Sequence, residues 1–234
     1  MRITFISDTH QKHRYCEDEL PGGDLLLHAG DFMTSGYSKD EAVVFFDWFN
    51  SIKGYDKKVF IGGNHDRILE IDTTWSSLTI QDYPKIIYLQ DEGFSLYDLI
   101  TDKSVKIYGS PWQPEFYNWA FNLPRRGDEL QNVWNQIPAD TDILITHGPP
   151  QGHLDISGPP YNQGDLGCEL LRVRVDGIQP KIHLFGHIHG SYGYKFHNGT
   201  HFINASILNE QYQYANKPIT ADWNQDDNTL VFLD

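Results

Sequence analysis

Five short segments of the chain carry side chains able to bind divalent metals. They are Ser7-Asp8-Thr9-His10, Gly30-Asp31, Gly62-Gly63-Asn64-His65-Asp66, Thr146-His147-Gly148-Pro149-Pro150 and Gly186-His187-Ile188-His189. Their donors are carboxylate oxygens, an amide oxygen and imidazole nitrogens, with no thiolate. That set suits Mn, Fe, Zn, Co or Ni. One aspartate can bridge two ions through its two oxygens. Two ions roughly 3.5–4 Å apart can clamp a phosphoryl group and activate a water between them. Cations make this possible near neutral pH by lowering the pKa of bound water. His187 and His189 alternate along an extended segment, so both rings share one face.

Each segment alone has an ordinary structural reading. Asp8, Asn64 and Asp66 are common turn residues. A lone His147 after a strand is more often structural than catalytic. Together, each directly after a predicted strand, the five segments point to one metal site, because the carboxyl ends of strands are where α/β sheets place their chemistry.

The elements that would position them follow from apolar patterning. Residues 3–6, 25–28, 59–61, 143–145 and 182–185 are short β-branched or leucine-rich runs, the pattern of buried strands. Further strands are expected at 86–89, 94–97, 105–108 and 230–233, with a turn at Glu92-Gly93. Residues 192–196 and 202–204 flank His197-Asn198-Gly199-Thr200, a hairpin signal through Asn-Gly. Ser38 and Glu41 form a capping box for a helix with Ala42, Phe45, Phe46, Phe49 and Ile52 on one face, stopping at Gly54. Asp128 is expected to cap a helix bearing Leu130, Val133, Trp134 and Ile137. Residues 158–167 read as a polar loop, followed by a short helix at 169–172. Strands alternating with helices, then strand-rich segments, are compatible with two packed sheets and helices outside.

With 234 residues and no linker, one domain over 1–234 is expected. The formal net charge of −14 disfavours a nucleic-acid polymer or an anionic membrane as partner. It leaves room for a small phosphate ester, since bound cations would dominate the local charge. Cys16 and Cys168 form no CxxC pair, and the amino terminus reads at once as a strand, so reduced thiols in a cytoplasm are expected.

The order Asp8-x-His10, Gly30-Asp31, Gly63-Asn64-His65-Asp66, His147 and Gly186-His187-x-His189 resembles the calcineurin-like metallophosphoesterase superfamily. Wider stretches resemble its metallophosphoesterase-domain-containing group, including Phe5 to His10, Leu27 to Asp31, Tyr108 to Pro114, Ile145 to Pro150 and Phe202 to Ser206. The resemblance implies a four-layer sandwich, two mixed β-sheets packed face to face with helices on both outer faces. It implies two divalent transition-metal ions, manganese first. Asp8, His10 and His189 would hold one ion, Asn64, His147 and His187 the other, and Asp31 would bridge. His65 would face the phosphate, with Asp66 orienting its ring. The implied reaction is hydrolysis by a hydroxide bridging two metal ions. The implied substrates are phosphodiesters, 3′,5′-cyclic nucleotides among them. Some members of the narrower group carry glycine where this chain has His187, so the second ion keeps its full set here. A phosphomonoesterase, a nuclease or a non-catalytic binding module are the alternatives on this fold. The acidic charge weighs against the nuclease, and the completeness of the seven positions and His65 weighs against the binding module.

Weaker candidates are His28 as support behind Asp31, and Trp112, Gln113, Phe116 and Trp119 as walls of a pocket that stack a base. Arg125 and Arg126 read as solvated loop residues, with a phosphate contact as the alternative.

Overall fold

Each donor-bearing segment is preceded by an apolar run, and each run forms a strand. A computed structural model describes residues 1–98, 102–161 and 163–233; Asn162, within the expected polar loop, lies outside the described residues. In chain order the strands are β1 (Arg2–Ile6), β2 (Gly23–His28), β3 (Tyr55–Phe60), β4 (Ile86–Tyr88), β5 (Glu92–Asp98), β6 (Lys103–Ser110), β7 (Gln113–Pro114) and β8 (Asn122–Leu123). They continue with β9 (Ile143–Thr146), β10 (Ile182–Phe185), β11 (Gly193–His197), β12 (Thr200–Asn204), β13 (Ile219–Asn224) and β14 (Thr229–Phe232). The α-helices are α1 (Lys39–Ser51), α2 (Arg67–Ile71), α3 (Thr73–Gln81), α4 (Asp128–Asn135) and α5 (Glu169–Ile178).

Two six-stranded sheets result, in the orders β14-β13-β1-β2-β3-β4 and β11-β12-β10-β9-β6-β5. Both are mixed. Strands β1 to β4 run parallel, as do β6, β9, β10 and β12, while β13, β14, β11 and β5 pair antiparallel at the flanks.

Side-chain alternation along each strand creates the layers. Ile3, Phe5, Leu25, Leu27 and Val59 of the first sheet pack against Val105, Ile107, Ile143, Ile145 and Ile182 of the second. The opposite face of the first sheet, with Leu26 and Phe60, is covered by Phe45, Phe46 and Phe49 of α1. The outer face of the second sheet, with Leu144, Phe185 and Phe202, is covered by Leu130 and Trp134 of α4 and Leu171 and Val175 of α5. The expected four-layer sandwich is therefore the observed one. Among the described residues, no helix is long and apolar enough to cross a membrane.

Local chemistry sets the ends of α1. The Ser38 hydroxyl accepts from the Glu41 amide, as a capping residue should. At the other end Lys58 is buried and donates to the carbonyls of Phe49, Asn50 and Ile52, which have no partner within the helix.

Some boundaries differ from expectation. Glu92 and Gly93 open β5, and Asp91 makes the turn with φ 54°. Gly127, without a side-chain bond, precedes α4; Asp128 and Glu129 occupy its first turn, where they favour the helix dipole. Helix α5 continues past Arg172 because Val175 extends its buried face. Strand β13, helices α2 and α3 and a 3₁₀ segment at His13–Glu19 were not expected.

His183 ties this core to pH. Thr146 Oγ1 donates to the Gly148 carbonyl (2.8 Å), so it accepts from His183 Nε2 (2.9 Å). His183 Nδ1 is buried without a partner among the described residues. Burial, with His153 nearby, lowers its pKa to about 3 from an ordinary 6.5. Below pH 6.5 the unfolded chain therefore takes a proton that the folded chain refuses. Stability present at neutral pH should fall as pH drops towards 3. Denaturant unfolding of His183→Gln, which keeps the donor but does not titrate, should show a slope against pH shallower by about one proton in that window. Identical slopes for both proteins would contradict this.

Candidate metal centre

Strands β1, β2, β3, β9 and β10 all end at one rim, and the five segments leave from there. Backbone bonds zip the segments together. The Asp8 amide donates to the Gly30 carbonyl (3.0 Å), the His10 amide to Asp31 (2.9 Å), and the Gly186 amide to His147 (2.9 Å). Four of the seven candidate ligands have left-handed backbone: Asp8 (φ 52°), His10 (φ 38°), Asp31 (φ 58°) and His187 (φ 67°). Non-glycine residues hold that conformation at a cost, and such strain concentrates at functional sites. Close approach demands glycine at two neighbours. A Cβ on Gly186 would lie 2.0 Å from Asp8 Oδ2, and one on Gly63 would lie 2.3 Å from Asp31 Oδ1.

All seven candidates converge. Donor atoms of Asp8, His10 and His189 lie within 4.8 Å of one another, as do those of Asp31, His147 and His187. Asn64 Oδ1 lies 2.9 Å from His147 Nε2. Asp31 Oδ2 sits between the two groups, 3.7 Å from His10 Nε2 and 3.4 Å from His147 Nε2. His10, Asp31 and His65 also approach within 4.8 Å.

The rings are aimed by backbone carbonyls. Nδ1–H of His10 donates to Met33 O, that of His147 to Ala29 O and that of His189 to Asn209 O, each at 2.9 Å. Each bond fixes the tautomer and turns Nε2 inward, the usual support of a metal-binding histidine. Among the described residues, His10 Nε2 is buried with no hydrogen-bond partner. An orphaned imidazole nitrogen beside two buried carboxylates fits a cation-binding site.

Electrostatics agree. Burial alone would raise the carboxyls of Asp8 and Asp31. The bond and charge of His189 hold Asp8 below the usual range, and the charges of His147 and His65 do the same for Asp31. Reciprocally, burial would lower His147 and His189, but Asp31 and Asp8 raise each to about 9. His10 and His187 are dominated by burial and fall to about 4 and about 3. Asp8 is further held by the Ser206 hydroxyl (2.7 Å) and the His187 amide.

Asp66 does not meet the expectation that it orients His65. Its carboxylate is fully buried behind the loop and accepts the amides of Asp31 (2.7 Å), Met33 (2.9 Å) and Gly63 (2.7 Å). Burial and the charge of Asp31 push it upward, against the pull of those amides. His65 Nδ1 instead donates to the Thr34 carbonyl at 2.5 Å. The reason is directional: Asp66 turns inward to hold the Asp31 loop, and the preceding side chain turns out.

A cleft of about 420 Å³ opens over the cluster, lined by Asp31, Asn64, His65, His187 and His189 among others. Gln113 and Phe116 also line it, whereas Trp112 donates to Asp91 away from it. Arg125 lines the cleft but is locked to Glu169 (2.7 Å) and to the carbonyls of Gly167 and Leu166. Exposed Arg126 reaches Glu169, at 3.4 Å. His28 joins the first two segments, with Nδ1 accepting from the Gly30 amide and Nε2 at 3.1 Å from Thr9 Oγ1. Sequence reasoning missed Tyr212, whose ring packs on His10 (4.9 Å) and His189 (5.3 Å). It lies in a turn closed by Asn209 side-chain bonds, with no strand before it to signal its position.

The sequence profile of the calcineurin-like phosphoesterases matches residues 1–191. The chain belongs to that family. This metallophosphoesterase is 40% identical to metallophosphoesterase domain-containing protein 1 of Homo sapiens, over 94% of the chain and 70% of the human protein. It is 37% identical to UPF0046 protein T07D4.2 of Caenorhabditis elegans, over 95% and 60% of the two chains. In fold it is similar to TT1561 of Thermus thermophilus, with TM-score 0.63 and 13% identity over 99% and 97%. It is also similar in fold to GAP50, the anchor in the inner membrane complex of Plasmodium, with TM-score 0.57 and 10% identity over 94% and 80%. Identities this low speak for the fold alone. Family membership makes the metallophosphoesterase a metal-dependent phosphoester hydrolase.

The inward position of Asp66 has a measurable consequence. Asp66→Ala would strand three buried amides, each worth about 1–3 kcal/mol when left unpaired. Thermal unfolding should show a large loss of stability for Asp66→Ala and little change for His65→Ala, whose ring is partly exposed. Equal losses would mean that Asp66 does not hold the loop.

Proposed function

We propose that this metallophosphoesterase works as one domain that hydrolyses phosphodiesters at a two-ion centre. Asp8, His10 and His189 hold one ion, Asn64, His147 and His187 the other, and Asp31 is shared. The observation that carries this is the placement of Asp31 Oδ2 between His10 Nε2 and His147 Nε2, the first of which has no other partner. Two such ions supply Lewis acidity to the phosphoryl oxygens and an activated water. A histidine-rich set favours manganese or another transition metal over magnesium, which prefers oxygen and keeps its waters.

The remaining steps fall to the chain. Asn64 and His65 both line the cleft, and we assign them the phosphoryl group. Nδ1–H of His65 is committed to Thr34, so the proton available for transfer is at Nε2. We assign His65 as the acid that protonates the leaving oxygen, and Asp66 as the support of its loop rather than of its ring. The cleft of about 420 Å³ adjoins a second cavity of about 590 Å³, room for two ester substituents, which favours a diester over a monoester. Cyclic nucleotides are one such class. Cys16 and Cys168 are both free and buried, in keeping with a reducing cytoplasm.

The test begins with chelated protein reloaded with Mn²⁺ or Mg²⁺, assayed on alkyl and nitrophenyl diesters and their monoesters. Mn²⁺ should restore more activity, and diesters should react faster. His65→Ala should slow an alkyl diester by about 10²–10⁴. A nitrophenyl diester, whose leaving group needs no proton, should slow far less. Equal slowing would make His65 a charge stabiliser instead of an acid. Faster monoester turnover would overturn the diester assignment.

A further inference from the structure

We propose that the turn at 209–213 is a cover that retains one ion of the pair, with Tyr212 as the covering side chain and Asn209 as the residue that places it. This rests on the two-ion reading above and concerns residues outside the seven ligands. The ion in question is the one assigned to Asp8, His10 and His189. The Tyr212 ring meets His10 at 4.9 Å and 71°, and His189 at 5.3 Å and 72°, both edge-to-face. His10 and His189 are 5% and 7% exposed, while Tyr212 itself is 43% exposed. The phenol therefore stands between those two imidazoles and solvent. On the other side of Asp31, Asn64 and His187 line the open cleft, and His187 is only half-buried.

One residue both aims His189 and places the cover. The Asn209 carbonyl accepts from His189 Nδ1 (2.9 Å) and from the Tyr212 amide (2.8 Å). Its side-chain oxygen accepts the amides of Gln211 (3.0 Å) and Gln213 (2.9 Å). Such asparagine bonds to the following amides close a turn, and this one holds Tyr212 in left-handed backbone at φ 56°. The turn is fastened to both ligand segments. Lys12, two residues beyond His10, donates to the Tyr212 carbonyl. Glu210 Oε1 accepts the amide of Gly190, which follows His189, at 3.2 Å, and that of Gly158 at 2.6 Å.

Release of an ion held by several side chains proceeds one ligand at a time, each departure completed by water entering the vacated position. His189 is restrained at Nδ1 by Asn209 and at its ring by Tyr212. His10 is restrained at Nδ1 by Met33 and at its ring by the same phenol. Neither imidazole can turn away without displacing the cover, and the apolar ring limits the entry of water, as the shell around a metal site does. His187 faces the cleft, where solvent enters freely. The centre then keeps one resident ion while the other exchanges with free metal. The ring alone provides this restraint, so phenylalanine at position 212 should serve as well as tyrosine.

The test is release of Mn²⁺ from the loaded full chain into excess chelator, followed by stopped flow, with metal content measured before mixing. The unsubstituted protein should start with two ions per chain and lose them in two phases of equal amplitude. His187→Gly, at a ligand of the open ion, should speed or abolish the fast phase, which assigns the slow phase to Asp8, His10 and His189. Tyr212→Ala, at a part-exposed position, should speed the slow phase by about ten- to hundredfold, the scale of losing an outer partner of a metal ligand, and leave the fast phase unchanged. Tyr212→Phe should release both ions as the unsubstituted protein does. Lys12→Ala, which loosens the turn without touching the ring, should move the slow phase in the same direction. A single phase for both ions, a slow phase unchanged in either alanine variant, equal acceleration of both phases, or failure of Tyr212→Phe to keep the slow phase would overturn the proposal. Fewer than two ions per chain before mixing would overturn the two-ion reading, and the cover with it.

Discussion

The Asp31 carboxylate is buried at the rim where both sheets end, and a buried negative charge must have positive partners. Asp8 stands beside it under the same constraint. Much of the surrounding architecture meets that requirement. Parallel strands from two sheets point their carboxyl ends at one place, which brings four imidazoles to two carboxylates. Glycines at 63 and 186 let the backbone press against those carboxylates, closer than any side chain would permit. Three main-chain carbonyls turn ring nitrogens inward. The charges of Asp31 and Asp8 raise His147 and His189, so protons are held on those two imidazoles. A divalent ion would replace those protons with a stronger counter-charge.

The central strands and the donor segments were legible in the sequence because their signals are local. An apolar run such as Ile143-Leu144-Ile145, followed by a histidine and glycine, carries both the strand and the donor. Helix α1 was legible for the same reason, through its capping serine and its phenylalanine face. Features that depend on distant pairing were not. Strand β13 pairs with β1 from the other end of the chain and is short and mixed in polarity. Tyr212 reaches the site from a turn that no periodicity marks. Asp66 was read as a partner of its neighbour His65, since sequence adjacency says nothing about which way a side chain turns. Three loop amides, spread from residue 31 to residue 63, claim it instead.

The two faces of the rim differ in character. One is the polar cluster, closed and strained, held by hydrogen bonds to backbone. The other is aromatic and open, reached past His65. His65 stands between them, with its Nδ1 on Thr34 and its ring against Trp119. Its position joins the reaction centre to whatever the ester carries, which is why fold membership alone leaves the substrate to the outer residues.

The shared carboxylate is the point on which the two-ion reading stands. Anomalous diffraction from crystals loaded with Mn²⁺ measures it directly. Two peaks are expected, each within bonding distance of an Asp31 oxygen, one also bonded to Asp8, His10 and His189 and the other to Asn64, His147 and His187. A single peak at full loading, or two peaks of which one does not touch Asp31, would contradict it.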